Sequence, residues 1–270
     1  MARDRSGLVS RKIGIILLCC LTLLVVAAII LAPRVPQPLS YHNFADQRAW
    51  LGIPNFGDVT SNAPFAFIGI WGLIFLFSHQ SERSFADKRE RISYFLIFFG
   101  LLLTAIGSSY YHLAPNNARL VWDRLPMTIV FMALVAAIIG ERISIRASLI
   151  LLPVLLVIGI GSVLQWYWSE LQGRGDLRLY AAVQVYAGLV LLLMLALPAR
   201  YTRSSDYAVI AGFYALAKIL ELTDRKIFQA IHAVSGHTLK HLAAALAGYW
   251  ILRMLQKRRP LLHSSSAATS

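Results

Sequence analysis

Hydrophobic positions in this chain gather into long runs, with neither the alternation of a half-buried strand nor the narrow stripe of a surface helix. Eight segments stand out, at about 13–32, 63–79, 92–111, 126–140, 147–166, 179–198, 206–223 and 237–255. Each approaches the ~20 apolar residues with which a helix crosses a hydrocarbon layer of roughly 30 Å. Pro33, Pro36 and Pro38 close the first run, and Trp166, Tyr167 and Trp168 read as an interfacial aromatic belt at the end of the fifth. The connections are short, so neighbouring spans are expected to pack as antiparallel hairpins. The predicted fold class is all-α, an integral membrane helix bundle. No soluble domain and no clear internal repeat interrupt it, and the one biased tract is the Ser-rich tail.

Composition supports this pattern. Of 270 residues, 57% are hydrophobic and 14% charged, with a mean hydropathy of +0.61. A soluble domain carries roughly 25% charged residues, so a soluble domain and a disordered chain are both excluded. The adjacent Cys19 and Cys20 lie in an apolar run, which argues against a disulfide scaffold and a thiolate metal site. The net charge of +13 comes in short clusters between spans. A nucleic-acid binder would need a continuous basic surface with stacking aromatics, so nucleic acid is not an expected partner, and no protein partner is implied.

Those clusters orient the chain instead. One set of loops carries sixteen Lys and Arg residues, among them Arg3, Arg5, Arg11, Lys12, Arg142 and Arg146; the opposite set carries nine, including Arg34, Arg119 and Arg178. Positive loops stay inside, so both termini are expected in the cytoplasm. The first run has a basic start but is too long for a signal peptide and lacks a small-x-small cleavage site, so it reads as a retained anchor. With no retention signal in view, a bacterial inner membrane is the expected location.

Ionisable groups at membrane depth are costly and therefore functional candidates. His112 ends the third span, Asp123 opens the fourth, and His237 and His241 open the eighth, all toward the outer face. His237 and His241 are four residues apart, one turn along one helix face. A helix presents two nitrogens to one metal in this way, and His112 would supply a third from another helix. Three ligands leave one position open, as catalytic zinc requires, and water bound there would ionise near pH 7. Asp123 would orient or deprotonate that water. Ser108, one turn before His112, would donate to a developing oxyanion. Each residue alone has a plainer explanation as an interfacial, helix-start or packing group; their convergence on one layer favours a site.

At these residues the chain resembles the alkaline ceramidase family, within the seven-span hydrolases that include adiponectin-type receptors and GPI-remodelling lipid hydrolases. The resemblance rests on GSSYYHLAPNNARLVWDRLP (107–126) and SGHTLKHLAAA (235–245). They hold a Ser four residues before a His, an Asp eleven after it, and a late HxxxH: Ser108, His112, Asp123, His237 and His241. The resemblance covers the chain from about residue 41. It implies a seven-span core plus one extra N-terminal helix, divided as residues 1–40 (cytoplasmic start and anchor), 41–256 (seven-helix domain) and 257–270 (disordered cytoplasmic tail). It further implies a zinc amidase cleaving the N-acyl bond of ceramide or a related lipid amide drawn from the membrane. His112, His237 and His241 would hold Zn2+, and Ser108 and Asp123 would assist on the periplasmic or lumenal side. The family also carries an acidic calcium motif before its first core span. The corresponding stretch, 44–65, offers Asp46, Asn55, Asp58 and Asn62 but not the family's acidic cluster, so calcium is the weaker expectation.

Three other readings stay open: a receptor or sensor with structural zinc, a lipid esterase or phospholipase, and a transporter. Lys218 and Glu221, with Asp224 one turn on, form either a self-neutralising intramembrane pair or a support for a ligand imidazole. His42 and His232 are read as surface residues, and His79 and His263 lie away from the chemistry.

Overall fold

The computed structural model describes residues 2–261. Among them the chain is helical, with two isolated β-bridges, Trp50 to Ile53 and Tyr201 to Pro260. A long α1 (Ala2–Leu31) leads through a loop to a short α2 (Phe56–Thr60) and to α3 (Ala63–Phe77). Then follow α4 (Arg91–Leu113), α5 (Asn117–Arg142), α6 (Ile145–Leu171) and α7 (Arg178–Leu195). After α8 (Asp206–Leu222) a short α9 (Asp224–Ile231) precedes α10 (Gly236–Lys257). Every apolar run in the sequence has thus become a helix.

Six stretches are long and apolar enough to cross a membrane: 11–31, 56–77, 88–113, 117–142, 145–171 and 178–195. The helices α8 and α10 fall outside that set. Seventeen residues long, α8 carries Lys218 and Glu221, while α10 carries Lys240, Arg253 and Lys257. The outward faces are oily: Leu23, Leu24 and Ile30 on α1, Phe67 and Ile74 on α3, and Val157 on α6 are all exposed. Exposed apolar surface on this scale is stable against acyl chains and not against water. The protein is therefore membrane-embedded.

The bundle centres on α5, which packs against α4, α6 and α7, while α10 packs between α3 and α8. Small residues make this possible. Ala133, Ala136, Ala137 and Gly140 bring α5 close to its neighbours within the core that also holds Met132, Ile138 and Ile139. By contrast α1 lies along α7, tied by a Thr22 to Tyr186 hydroxyl bond of 2.9 Å and by Arg178 donating to the Ile29 carbonyl at 2.9 Å.

Three boundaries differ from the sequence reading. The helix α5 starts at Asn117, well before Pro126, because the Asn116 side chain caps it by accepting from the Arg119 N–H at 2.9 Å. Pro126 consequently lies inside α5. Having no N–H, it leaves the Trp122 carbonyl without its helical partner. That carbonyl faces Gly107 of α4 so closely that an added Cβ would land on it. Gly107→Ala is expected to cost about 3 kcal/mol, the upper range for overpacking, read as a lower Tm of the detergent-purified protein; an unchanged Tm would refute the contact.

Secondly, Trp166 is no interfacial belt residue. It is fully buried, with the Arg124 guanidinium 4.2 Å above its ring, while Trp168 is exposed. Thirdly, the chain just beyond α10, which the sequence reading gave to the tail, follows the bundle as far as Leu261, with Arg258 buried and Arg259 and Leu261 exposed. Arg258 is 1% exposed and donates to the Ser84 carbonyl at 2.8 Å and the Tyr94 hydroxyl at 2.9 Å. It also pairs with buried Glu141 at 3.4 Å. A buried cation is retained only when paired and hydrogen-bonded, and the aromatic rings of Phe85, Tyr94 and Tyr201 surround it as well. Residues 262–270, including His263, lie outside the described residues.

Candidate metal centre

The end of the bundle opposite Arg258 gathers the C-terminus of α4 and the N-termini of α5 and α10. One turn apart on α10, His237 and His241 face the same way, and His112 arrives from the last turn of α4. Their ring centroids form a nearly equilateral triangle: 4.9 Å for His112–His237, 5.0 Å for His112–His241 and 4.9 Å for His237–His241. One nitrogen from each ring lies within 4.8 Å of the others. All three rings are buried.

Polar burial at this density needs a partner. Both ring nitrogens of His112 are buried without a hydrogen bond. Leaving such groups unmade costs about 1–3 kcal/mol each, whereas three converging neutral imidazoles are a natural donor set for a first-row transition ion. The residues therefore fit a metal ion held by His112, His237 and His241. Among the described residues this is the one cluster of three or more His, Cys, Asp or Glu side chains with that geometry.

The expected helpers are adjacent. Asp123 is buried on α5 and Ser108 is buried on α4. Both line, together with His241 and Lys240, a cavity of about 250 Å³ that runs between α4, α5, α7, α8 and α10. Apart from Thr104, Gln184 and Tyr214 its remaining wall is apolar and reaches Leu134, Leu191 and Ile251. On α10 alone, His241 to Ile251 spans ten residues, about 15 Å at the helical rise.

The loop between α1 and α3 braces the centre. Phe44 packs on His112 and His237, with centroids 4.6 Å and 4.5 Å away. Asn55 donates to the His112 carbonyl at 2.8 Å. The Ser61 hydroxyl meets His241 Nδ1 at 2.8 Å. Asp58 accepts from the Thr238 hydroxyl at 2.8 Å and from Ser235 at 3.4 Å, at the N-terminus of α10. Asp46 is bound by Arg48, whose guanidinium holds that carboxyl below its ordinary range and also donates to the Ala233 carbonyl at 2.7 Å. The four oxygen-bearing residues considered for calcium are thus distributed over separate tasks, with only Asp58 Oδ2 and Asn62 Oδ1 buried and unpartnered among their side-chain atoms.

The intramembrane charges resolve as follows. Glu221 pairs with Lys218 at 2.9 Å and with Lys240 at 2.7 Å, so one carboxylate neutralises two helices. Asp224 accepts from the backbone N–H of His237 at 2.8 Å and of Ala45 at 3.0 Å. It therefore supports α10 and the bracing loop through their backbones. Gly236 admits this approach, since a Cβ there would meet the Leu220 carbonyl and the Asp224 backbone. His42, expected at the surface, is half-buried between the Tyr111 hydroxyl and Asn117 Oδ1, each at 2.9 Å. His232 and His79 are exposed.

Fold and site together define a membrane-embedded, all-helical protein whose buried three-histidine group can hold a metal ion. No family model and no curated protein matches the chain.

Proposed function

We propose that this protein is a zinc-dependent hydrolase that cleaves the amide bond of ceramide or a related N-acyl lipid, on a seven-span core preceded by one extra helix. The observation that carries this reading is the junction of a buried triangle of imidazoles with an apolar cavity whose wall includes Asp123 and Ser108. A structural metal site closes its coordination with four protein ligands, whereas three leave a position for substrate or water. The peripheral placement of α1 along α7 agrees with a helix added to a seven-span core, and the charge bias of the loops favours a site on the periplasmic or lumenal side with both termini cytoplasmic.

Zinc at the histidines would supply a Lewis acid and ionise water near neutral pH. The chain's own groups do the remaining work. The lipid enters from the bilayer and lays an acyl chain along the cavity wall toward Leu191 and Ile251, leaving its amide beside Ser108 and Asp123. One oxygen of the Asp123 carboxylate takes a proton from the attacking water, and the same proton goes to the departing nitrogen as the carbon–nitrogen bond breaks. The Ser108 hydroxyl donates to the carbonyl oxygen as it gains charge. Water and amide are consumed, and fatty acid and amine are released. Burial of the three rings beneath Phe44 keeps bulk water from competing.

The test is metal analysis of the purified protein together with product release from a panel of N-acyl lipids and matched esters. Stoichiometric zinc with fatty-acid release from amides supports the reading. Release from esters alone assigns an esterase, and bound zinc without turnover assigns a receptor. A transporter has little left to rest on, since Glu221 is committed to two lysines.

A further inference from the structure

We propose that Ser61 is the positioning residue that sets the tautomer of His241 and aims its Nε2 at the metal. The inference rests on the three-histidine metal reading and adds a group outside the sequence motif that suggested it.

The argument is one of hydrogen-bond direction. Ser61 ends α2 and is buried, 180 residues away in sequence from the ring it touches. Its hydroxyl has a single proton, and that proton goes to the Asp58 carbonyl at 3.2 Å. Its oxygen is then free to accept, and His241 Nδ1 lies 2.8 Å away. With its proton committed to that carbonyl, the hydroxyl oxygen can meet the ring only as an acceptor, which places an N–H on Nδ1. The neutral ring then carries its lone pair on Nε2, the nitrogen a metal needs.

The three ligands differ in this respect. Neither nitrogen of His112 has a hydrogen-bond partner, and His237 is steadied through its backbone N–H by Asp224 and through its ring face by Phe44. Only His241 has its ring orientation written by a side-chain hydroxyl. Because Ser61 belongs to the same loop as Phe44, Asn55 and Asp58, the loop that covers the centre also orders one of its ligands.

The experiment compares Zn2+ affinity and the Co2+ visible spectrum of the full-length protein in detergent with those of Ser61→Ala, Ser61→Thr and His241→Ala. Loss of an outer partner of a ligating histidine weakens metal binding by about 10–100-fold. We expect Ser61→Ala to fall in that range with an altered Co2+ spectrum, Ser61→Thr to stay within about threefold of the parent, and His241→Ala to lose binding far beyond both. Metal-free Tm separates orientation from packing: the proposal expects it nearly unchanged in Ser61→Ala. Should that variant fail to fold, Ser61→Cys keeps the size, replaces the acceptor with a weak one, and is expected to show the same spectral change. Equal affinity in the parent and His241→Ala sinks the metal reading itself. Retained affinity in Ser61→Ala, with His241→Ala impaired, sinks only the role of Ser61, as does equal weakening of Ser61→Ala and Ser61→Thr.

Discussion

His237→Ala is expected to strip the protein of bound zinc and of lipid-amide hydrolysis together. His237 supplies one corner of a triangle whose sides are 4.9 Å and 4.9 Å to its neighbours. Two imidazoles from two different helices, His112 and His241, would be left to hold the ion alone. Because ordering a metal site draws its free energy from all ligands acting at once, removing one of three takes away far more than a third of the affinity. Without the metal no group in the cavity can ionise water near neutral pH, since unassisted water has a pKa of about 15.7. Turnover should therefore drop to background while the helical bundle remains, which circular dichroism checks. His42→Ala serves as the control. His42 bonds Tyr111 and Asn117 and no part of the triangle, so that variant is expected to keep its zinc. Full metal content and hydrolysis in His237→Ala would remove the site assignment.

Asp123→Asn should separate chemistry from metal binding. The carboxamide nearly matches the carboxylate in shape, so the packing of α5 against α4 is preserved. It cannot take a proton from water. General acid–base contributions of this kind are worth about 10²–10⁴-fold. The expected result is unchanged zinc, an almost unchanged KM and a kcat lower by about 10²–10⁴-fold, measured as fatty acid released per unit time. Loss of zinc in this variant would instead make Asp123 part of the metal's support. An unaltered kcat would give the proton transfer to another group.

How much of this was legible beforehand differs between the fold and the site. Apolar runs near the length of a membrane crossing announce helices directly, because backbone groups in lipid must be satisfied within the segment. Boundaries were less legible. The fourth apolar run begins at about residue 126, yet the Asn116 cap lies ten residues earlier and the helix absorbs Pro126 where α4 offers Gly107. Trp166 looked like one of three interfacial aromatics, but its ring is the platform for Arg124, which comes from another helix.

In the site, HxxxH with an upstream His and Asp was enough to name five residues, because spacing along a helix specifies which side chains share a face. Ser61, Asn55 and Phe44 carry no such signal. They are ordinary loop residues whose importance comes from contacts across 180, 57 and 68 positions of sequence, for His241, His112 and His112 in turn. Likewise, nothing local marks Arg258 as buried; its partners Ser84, Tyr94 and Glu141 converge from three separate parts of the chain.

By itself, then, the amino-acid order determined the number and order of the long helices and the five side chains that converge at one end, since hydrophobic length and helical periodicity are local properties. Tertiary structure alone decided which loop covers those side chains, which hydroxyl meets the His241 ring, and which charges are neutralised by which partners. Those outcomes depend on the distances and directions between groups far apart along the chain, and such geometry exists only once the helices have packed.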